Sequence, residues 1–412
     1  MPKFTTFEKN SMRTNRQLFR LHMGLPSVED EPVEIVRAQG IYLYDDQGQA
    51  FIDLVSGVSV SNTGHLHPRV VEAIKTQLDQ YMHVMVYGKF LQSPQVQLAG
   101  KLAEMLPASL DAVYFVSSGS EAIEGAIKLA KRITGRTGMV SFKNAYHGGT
   151  AGALSLLGNE SLKNAFRPLL PGVVQLDFND FHQIELISKD IACVVIEPIQ
   201  AEAGIILPLP SYLGAIRKRC DETGSLLVFD EIQMGFGRTG KMFAFEHSGV
   251  VPDILCLAKA MGGGLPLGAF ISSHRNMHAL THDPELGHIT TFGGHPVSCA
   301  ASLASIDVLI SEQLIESADY KGSLFSQRLI NHPAIREVRQ AGLMLGVELN
   351  ENYPIEKVMK SFKKHRLIVD QFLFNESSFR IAPPLTITET EIQAVVDMII
   401  ESIDAVINPM EL

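Results

Sequence analysis

Three polar clusters follow directly on apolar, strand-like runs, and their side chains could converge on one ligand. AVYFV (112–116) leads into Ser117-Ser118-Gly119-Ser120 and then a segment of helical period. That order leaves backbone N–H groups and small hydroxyls free at a helix N-terminus, where anions bind. Taken alone, the turn reads more readily as an ordinary serine cap. LLVF (226–229) ends in Asp230, a carboxylate at the C-terminal edge of a strand, where open α/β sheets bind ligands. ILCLA (254–258) ends in Lys259, just ahead of Met261-Gly262-Gly263-Gly264. A single lysine is most often a solvated surface group, yet one beside a glycine run is placed for close approach to a ligand.

The stretch LLVFDEIQMGFGRTGKM (226–242) also imitates a nucleotide site, with a Walker B-like strand and the glycine–lysine spacing of a P-loop. A P-loop needs Ser or Thr after its lysine to ligate magnesium, and here Met242 holds that place. The loop follows FDEIQ instead of its own strand, and MFAFEHSG is a poor helix start. The nucleotide reading fails on chemistry. An anion site, a buried acid and a strand-end lysine together match the needs of pyridoxal 5′-phosphate. The lysine forms a Schiff base, the acid keeps the pyridine nitrogen protonated, and the helix N-terminus holds the phosphate.

The elements that must position these groups alternate in type. AVYFV, GMVSF (138–142), ACVVI (192–196), LLVF and ILCL (254–257) read as strands. Between them run helical segments such as 121–132, with Ile123, Ala126, Ile127 and Ala130 on one face. Strands separated by helices imply parallel pairing and an α/β fold. GIYLYDDQGQAFIDL (40–54) reads as a hairpin about a DDQG turn. The C-terminal part, with GLMLGVEL and SFRIA, mixes helices and strands. The expectation is a large α/β domain over 60–300, with a mostly parallel sheet, and a small α+β domain assembled from 1–59 and 301–412.

A net charge of −10 over 412 residues argues against a nucleic-acid partner. The four cysteines are scattered without a CxxC pair, which fits reduced thiols in a cytoplasmic protein. MPKFTTFEKNSMRTNRQLF lacks the apolar core of a signal peptide, and no apolar run is long enough to span a bilayer.

Nine motifs now stand in one order along nearly the whole chain: YLYDDQGQAFIDLVSG, GHLHP, SSGSEA, YHGGT, VVIEPIQAEAG, LLVFDEIQMGFGRTGK, LAKAMGGGLPLGA, TTFGGHP and FRIAPPL. In this the chain resembles the class III (ω-type) pyridoxal-phosphate-dependent aminotransferases of fold type I, the acetylornithine, ornithine and 4-aminobutyrate group. The resemblance implies that Lys259 is the Schiff-base lysine and proton shuttle and that Asp230 is the pyridinium partner. It gives Gln233 a hydrogen bond to the cofactor's ring oxygen, and Gly119 and Ser120 its phosphate. Tyr146 would stack on its ring, or pack in the core. Thr291 would reach the phosphate of a neighbouring subunit, which implies a homodimer with shared active sites. Arg380 would grip an α-carboxylate, and Glu202 would pair with that arginine when the incoming amine has no carboxylate there; a permanent salt bridge is the alternative. The GHLHP histidines, His65 and His67, read as structural, with no metal site.

The chain departs from the family pattern in places. Gly149 stands where related enzymes often carry an arginine for a distal carboxylate, Ala201 and Ala203 replace glycines, and His295 replaces an asparagine. The loss at 149 disfavours acetylornithine, ornithine and 4-aminobutyrate as donors and favours diamines or other ω-amines, unless another residue supplies the charge. The expected reaction is ping-pong transfer of an amino group from an ω-amine or amino acid to 2-oxoglutarate or pyruvate. A decarboxylase–transaminase, an aminomutase and a non-catalytic cofactor-binding regulator are the alternatives.

Overall fold

The computed structural model describes residues 14–27, 32–86 and 88–407. The outermost parts of the expected small domain and most of the N-terminal stretch tested for a signal peptide lie outside them.

The strands, in chain order, are β1 (Ile35–Gln39), β2 (Tyr42–Asp45), β3 (Ala50–Asp53), β4 (Ala112–Val116), β5 (Gly138–Phe142), β6 (Val173–Leu176), β7 (Ile191–Ile196) and β8 (Leu226–Asp230). They continue as β9 (Ile254–Leu257), β10 (Gly268–Ser272), β11 (Ile335–Ala341), β12 (Met344–Leu349), β13 (Leu367–Ile368), β14 (Asp370–Phe372) and β15 (Asn375–Ile381). Seven form the central sheet in the order β4-β10-β9-β8-β7-β5-β6. All of its pairings are parallel except those of β10, which runs antiparallel to both β4 and β9. Strands β7 and β9 are buried throughout. That is why they read as unbroken apolar runs without alternation, as sheets covered on both faces do.

Two central strands escaped the sequence reading. β6 is a four-residue edge strand, and β10 begins inside the glycine-rich motif that follows Lys259. The antiparallel return from β9 to β10 needs no crossover helix. It is made through the short turn Lys259–Gly262, with Lys259 itself at φ +49°.

The helix Gly119–Thr134 lies on this sheet with Ile123, Ala126, Ile127 and Ala130 buried. Burying each isoleucine contributes about 1.5–3 kcal/mol. A Cβ at Gly125 would sit 2.2 Å from the Phe270 ring on β10, so this glycine sets the close seat of the helix. Ser118 caps the helix by accepting from Glu121 N, and Gly135 ends it in the left-handed conformation.

Two further four-stranded sheets complete the described chain, β1-β2-β3-β13 and β11-β12-β15-β14. The expected hairpin is β2–β3, and β13, from far along the chain, adds to it in parallel. Among the described residues, no single helix is long and apolar enough to cross a membrane.

Candidate active site

A cavity of about 470 Å³ opens at the C-terminal ends of β4, β8 and β9. Each strand delivers one group because each ends there. β4 runs into Ser117–Ser120, β8 into Asp230, and β9 into Lys259, and all of these line the cavity with Tyr146 and Gln233. Six of the nine residues expected at a site are thereby brought to one wall. Glu202 and Arg380 lie behind Gln233, whose Nε2 donates to Glu202 Oε1 at 3.4 Å. Thr291 is exposed and does not line this cavity.

The phosphate-sized end is made of backbone. Ser118 Oγ is engaged as the cap at 3.2 Å from Glu121 N, and Glu121 Oε2 accepts from Ser117 N at 2.7 Å. The serine-cap reading holds, and the first N–H groups of the helix, at Gly119 and Ser120, have no acceptor within it, as the anion-site reading requires. Gly148, at φ +131°, lies so close that a Cβ there would meet Ser120 Oγ at 2.2 Å, and Gly149 N donates to the same hydroxyl at 3.2 Å.

Asp230 is buried, and one of its oxygens accepts from Ile232 N at 3.0 Å. The other lies 2.7 Å from His147 Nδ1, and the imidazole is fully buried at its side chain. Burial alone would lower this imidazole's pKa, but the bond to Asp230 and the charges of Asp230 and Glu197 outweigh it and raise it. Glu197 is buried nearby and pushed up to about 7, chiefly by burial and also by Asp230, against the opposing effect of His147. Burial lowers the Lys259 pKa, with Glu202 and Asp230 opposing. Its amine is therefore a free base at lower pH than a solvated lysine. Tyr146 keeps part of its ring exposed to the cavity, and burial with the Glu202 charge raises its phenol.

At the far end, Arg380 Nη2 donates to both Glu202 oxygens, at 2.7 and 2.8 Å, in a pair that is almost wholly buried. Arg380 also lies over the Phe372 ring at 4.8 Å. Its Nε and Nη1 are buried and have no partner among the described residues. Unmet donors on a buried guanidinium suit an incoming carboxylate, which can take Nη1 and compete with Glu202 for Nη2.

These residues fit pyridoxal 5′-phosphate. Free N–H groups at a helix start, an approach that only glycine permits at 148, a buried carboxylate and a lysine with a lowered pKa surround one space. His147, Glu197 and Ile232 were absent from the sequence-based set, although the YHGGT, EPIQ and DEIQ motifs contain them. Nothing in the sequence shows that His147 reaches Asp230 across 83 residues. The GHLHP histidines separate: His65 lies 2.7 Å from Asp53 and His67 lies 3.1 Å from Glu312. Each has found a carboxylate that sequence distance conceals.

The family model for aminotransferase class-III matches residues 25–403. The acetylornithine aminotransferase of Methanopyrus kandleri is 40% identical over 366 residues, covering 88% of this chain and 92% of that protein. That of Methanocaldococcus jannaschii is 40% identical over 383 residues, covering 90% and 93%. Among solved structures, the ornithine aminotransferase of Toxoplasma gondii superposes with a TM-score of 0.89 at 29% identity, over 97% of this chain and 96% of that one.

Proposed function

The chain belongs to the class III aminotransferases, pyridoxal-phosphate-dependent enzymes, and from that premise we propose roles for its residues and a reaction course. Lys259 carries the cofactor and moves the proton at the substrate's Cα, Asp230 faces the ring nitrogen, and Gln233 the ring oxygen. Gly119 and Ser120 hold the phosphate, Tyr146 covers the ring, and Arg380 receives an α-carboxylate. The observation that carries this reading is the convergence of Lys259, Asp230 and the Gly119 helix start on one cavity wall.

When bound, the cofactor supplies an electron sink for the bond broken at Cα. The chain does the rest. A lysine whose pKa is lowered is unprotonated at lower pH than a solvated one, so Lys259 can take a proton at the substrate carbon and give it back. Asp230, bonded to His147, keeps a fixed negative charge opposite a protonated nitrogen. The Glu202–Arg380 pair admits two kinds of substrate: closed, it leaves the site neutral for an amine without an α-carboxylate; open, it offers a guanidinium to a keto acid. Both half-reactions of a ping-pong cycle then use one cavity, with 2-oxoglutarate or pyruvate as acceptor.

The donor carries an ω-amine. Gly149 has no atom within 4 Å of where its Cβ would stand, so that position offers a distal carboxylate no side chain. We place diamines and other ω-amines ahead of acetylornithine and ornithine, although relatives are named for acetylornithine.

A homodimer follows from the exposed apolar face of segments 82–96 and 288–295. Met82 (65%), Phe90 (56%), Leu91 (96%) and Phe292 (57%) are uncovered there, beside Thr291. The His83 and Phe292 rings lie 5.1 Å apart, so the two segments meet there, and exposed apolar groups gathered in this way suit a subunit interface that would bring Thr291 to the partner's phosphate. We further propose the division into a 60–300 domain and one from both chain ends, and a cytoplasmic setting, supported by four buried free cysteines.

The test is a donor panel run against both keto acids, with Lys259→Ala in parallel. Transfer in the native enzyme is expected to fall by at least roughly a thousandfold in the variant, since the lysine combines covalent and acid–base roles. A variant retaining native rates overturns the assignment. A marked preference for acetylornithine overturns the weight placed on Gly149.

A further inference from the structure

The loop 235–241, whose glycines imitate a nucleotide site, carries a fully buried charge that the reaction does not use. Arg238 Nη1 donates to the carbonyls of Leu343 at 2.9 Å and Pro383 at 2.6 Å. Its Nη2 donates to Ser56 Oγ at 3.1 Å and Asn62 Oδ1 at 2.6 Å. One guanidinium thereby joins three distant stretches: the segment after β3, the loop after β8, and the chain on either side of the β12–β15 pair. Burial pulls it down to about 9, with Asp53 opposing. Keeping a charge in such a place is costly unless all its bonds are good.

What it holds is strained. Ser56, Gly57, Val58 and Ser59 have φ of +48°, +63°, +64° and +59°, one turn of left-handed helix. Residues with a Cβ incur a steric penalty there, and a β-branched valine most of all. Such a turn persists only where its surroundings over-determine it. Asp53 Oδ1 accepts from Val55 N at 2.9 Å and Ser56 N at 2.8 Å. Ser56 Oγ donates to Ala382 O at 2.5 Å while accepting from Arg238, and Ala382 N donates to Leu54 O at 2.7 Å. The turn leads straight into Val60, which lines the cavity, and Ala382 stands two residues beyond Arg380.

We propose that Arg238 is a positioning residue for the substrate carboxylate: by bolting the left-handed turn 56–59 to the chain leaving β15, it sets the separation between the cavity wall at Val60 and the guanidinium of Arg380. The proposal rests on Arg380 being the carboxylate receptor. The planar fork reaches four acceptors on three segments at once, which the point charge of a lysine does not reproduce.

The experiment uses the full-length holoenzyme. Arg238→Lys, Arg238→Met and Ser56→Ala are compared with Ile399→Ala, a core change in the C-terminal helix Glu389–Ile407. Four quantities are read: the cofactor absorption spectrum, the dissociation constant of glutarate as an inert dicarboxylate, KM for 2-oxoglutarate, and the half-reaction rate with an amine lacking a carboxylate. A displacement on the order of 1 Å costs up to about a hundredfold where geometry matters. The Arg238 variants are therefore expected to weaken glutarate binding and raise KM by about tenfold or more. The spectrum should be unchanged, and the carboxylate-free amine should react within about threefold of the native rate. Ser56→Ala, which removes a single link, gives the same split in milder form and stands in if the Arg238 variants fail to fold. Unchanged glutarate binding, or losses spread evenly over both half-reactions as in Ile399→Ala, overturns the proposal. Arg380→Lys runs alongside. Intact glutarate binding there would refute the receptor reading itself, whereas loss there with intact binding in the Arg238 variants refutes the positioning role alone.

Discussion

On the cavity lining Asp230 and Lys259 leave the adjacent parallel strands β8 and β9, while behind Gln233 Glu202 and Arg380 meet across 178 residues of chain. The β8–β9 ladder holds Asp230 opposite Cys256, and Lys259 follows two residues beyond β9, at the start of its turn. Arg380 is likewise fixed by its backbone, in β15 between Gly346 and Asp370, but its contact with Glu202 is an ion pair of side chains with two guanidinium donors left unmet, so it is the side chains that can change partners. The cofactor's end is built to stay in place and the substrate's end to exchange partners. An enzyme that must accept an amine and a keto acid in turn needs both kinds of construction.

The sharpest way to break this contrast is at the fixed end. Asp230→Asn keeps the side chain's shape and its contact with Ile232 N but removes the charge opposite the ring nitrogen. The expected loss is roughly 100- to 10,000-fold in the rate of both half-reactions, with the cofactor retained, as read by single-turnover absorbance. A loss confined to one substrate would show that this end, too, adapts.

At the exchanging end the effect should sort by substrate. Glu202→Gln leaves the Arg380 guanidinium buried and uncompensated, which costs about 3–5 kcal/mol of stability and should appear as a lowered Tm before any keto acid is added. With no internal competitor, Arg380 should bind 2-oxoglutarate more tightly, while carboxylate-free amines react about tenfold more slowly, the size of a lost interaction of about 1.4 kcal/mol. A uniform change in both half-reactions would mean that the pair is a fixed salt bridge.

A third test lies on the side wall. Gly149→Arg projects into open space, so the backbone should tolerate it. A charge-assisted hydrogen bond is worth about 1.5–3 kcal/mol, which sets an expected gain of about tenfold or more in kcat/KM for donors with a carboxylate distal to the reacting amine. No gain would mean that another group already serves that carboxylate.

The same contrast explains what could be read in the sequence. Asp230, Lys259 and the Ser117–Ser120 turn were legible because each ends a strand, and a strand end has a local signature: an apolar run, then a polar residue. β4, β5 and β9 were placed to the residue for that reason. Glu202 and Arg380 carry no local signature, and only the resemblance to a family pointed to them. His147 and Arg238 stood in motifs whose chemistry was assigned to their neighbours, Tyr146 and the glycines. Their partners, Asp230 and Ser56, are chosen by the packing of distant segments, which period and composition do not encode. β10 was missed because a strand that starts in a glycine run lacks the apolar onset.

The smallest effect concerns Glu197, which faces the fixed end without touching a strand end of the cofactor set. Its oxygens accept from Tyr146 N at 3.1 Å and Ala201 N at 2.8 Å, and burial pushes its pKa up to about 7. The folded protein therefore holds this proton where the unfolded chain has released it. The sign follows from linkage: stability is fully present below the ordinary glutamate range and is lost as pH rises through about 7. Glu197→Gln cannot ionise, so it escapes that loss. One of its amide faces meets a backbone N–H, however, which lowers Tm equally at all pH values. The informative quantity is thus the difference between variant and native Tm at pH 8 minus the same difference at pH 5. It should be positive by a few degrees, on the order of what 1–2 kcal/mol shifts Tm in a chain of this size. A value of zero would mean that Glu197 ionises as readily folded as unfolded. Glu197 would then add a second negative charge beside Asp230 across the neutral range.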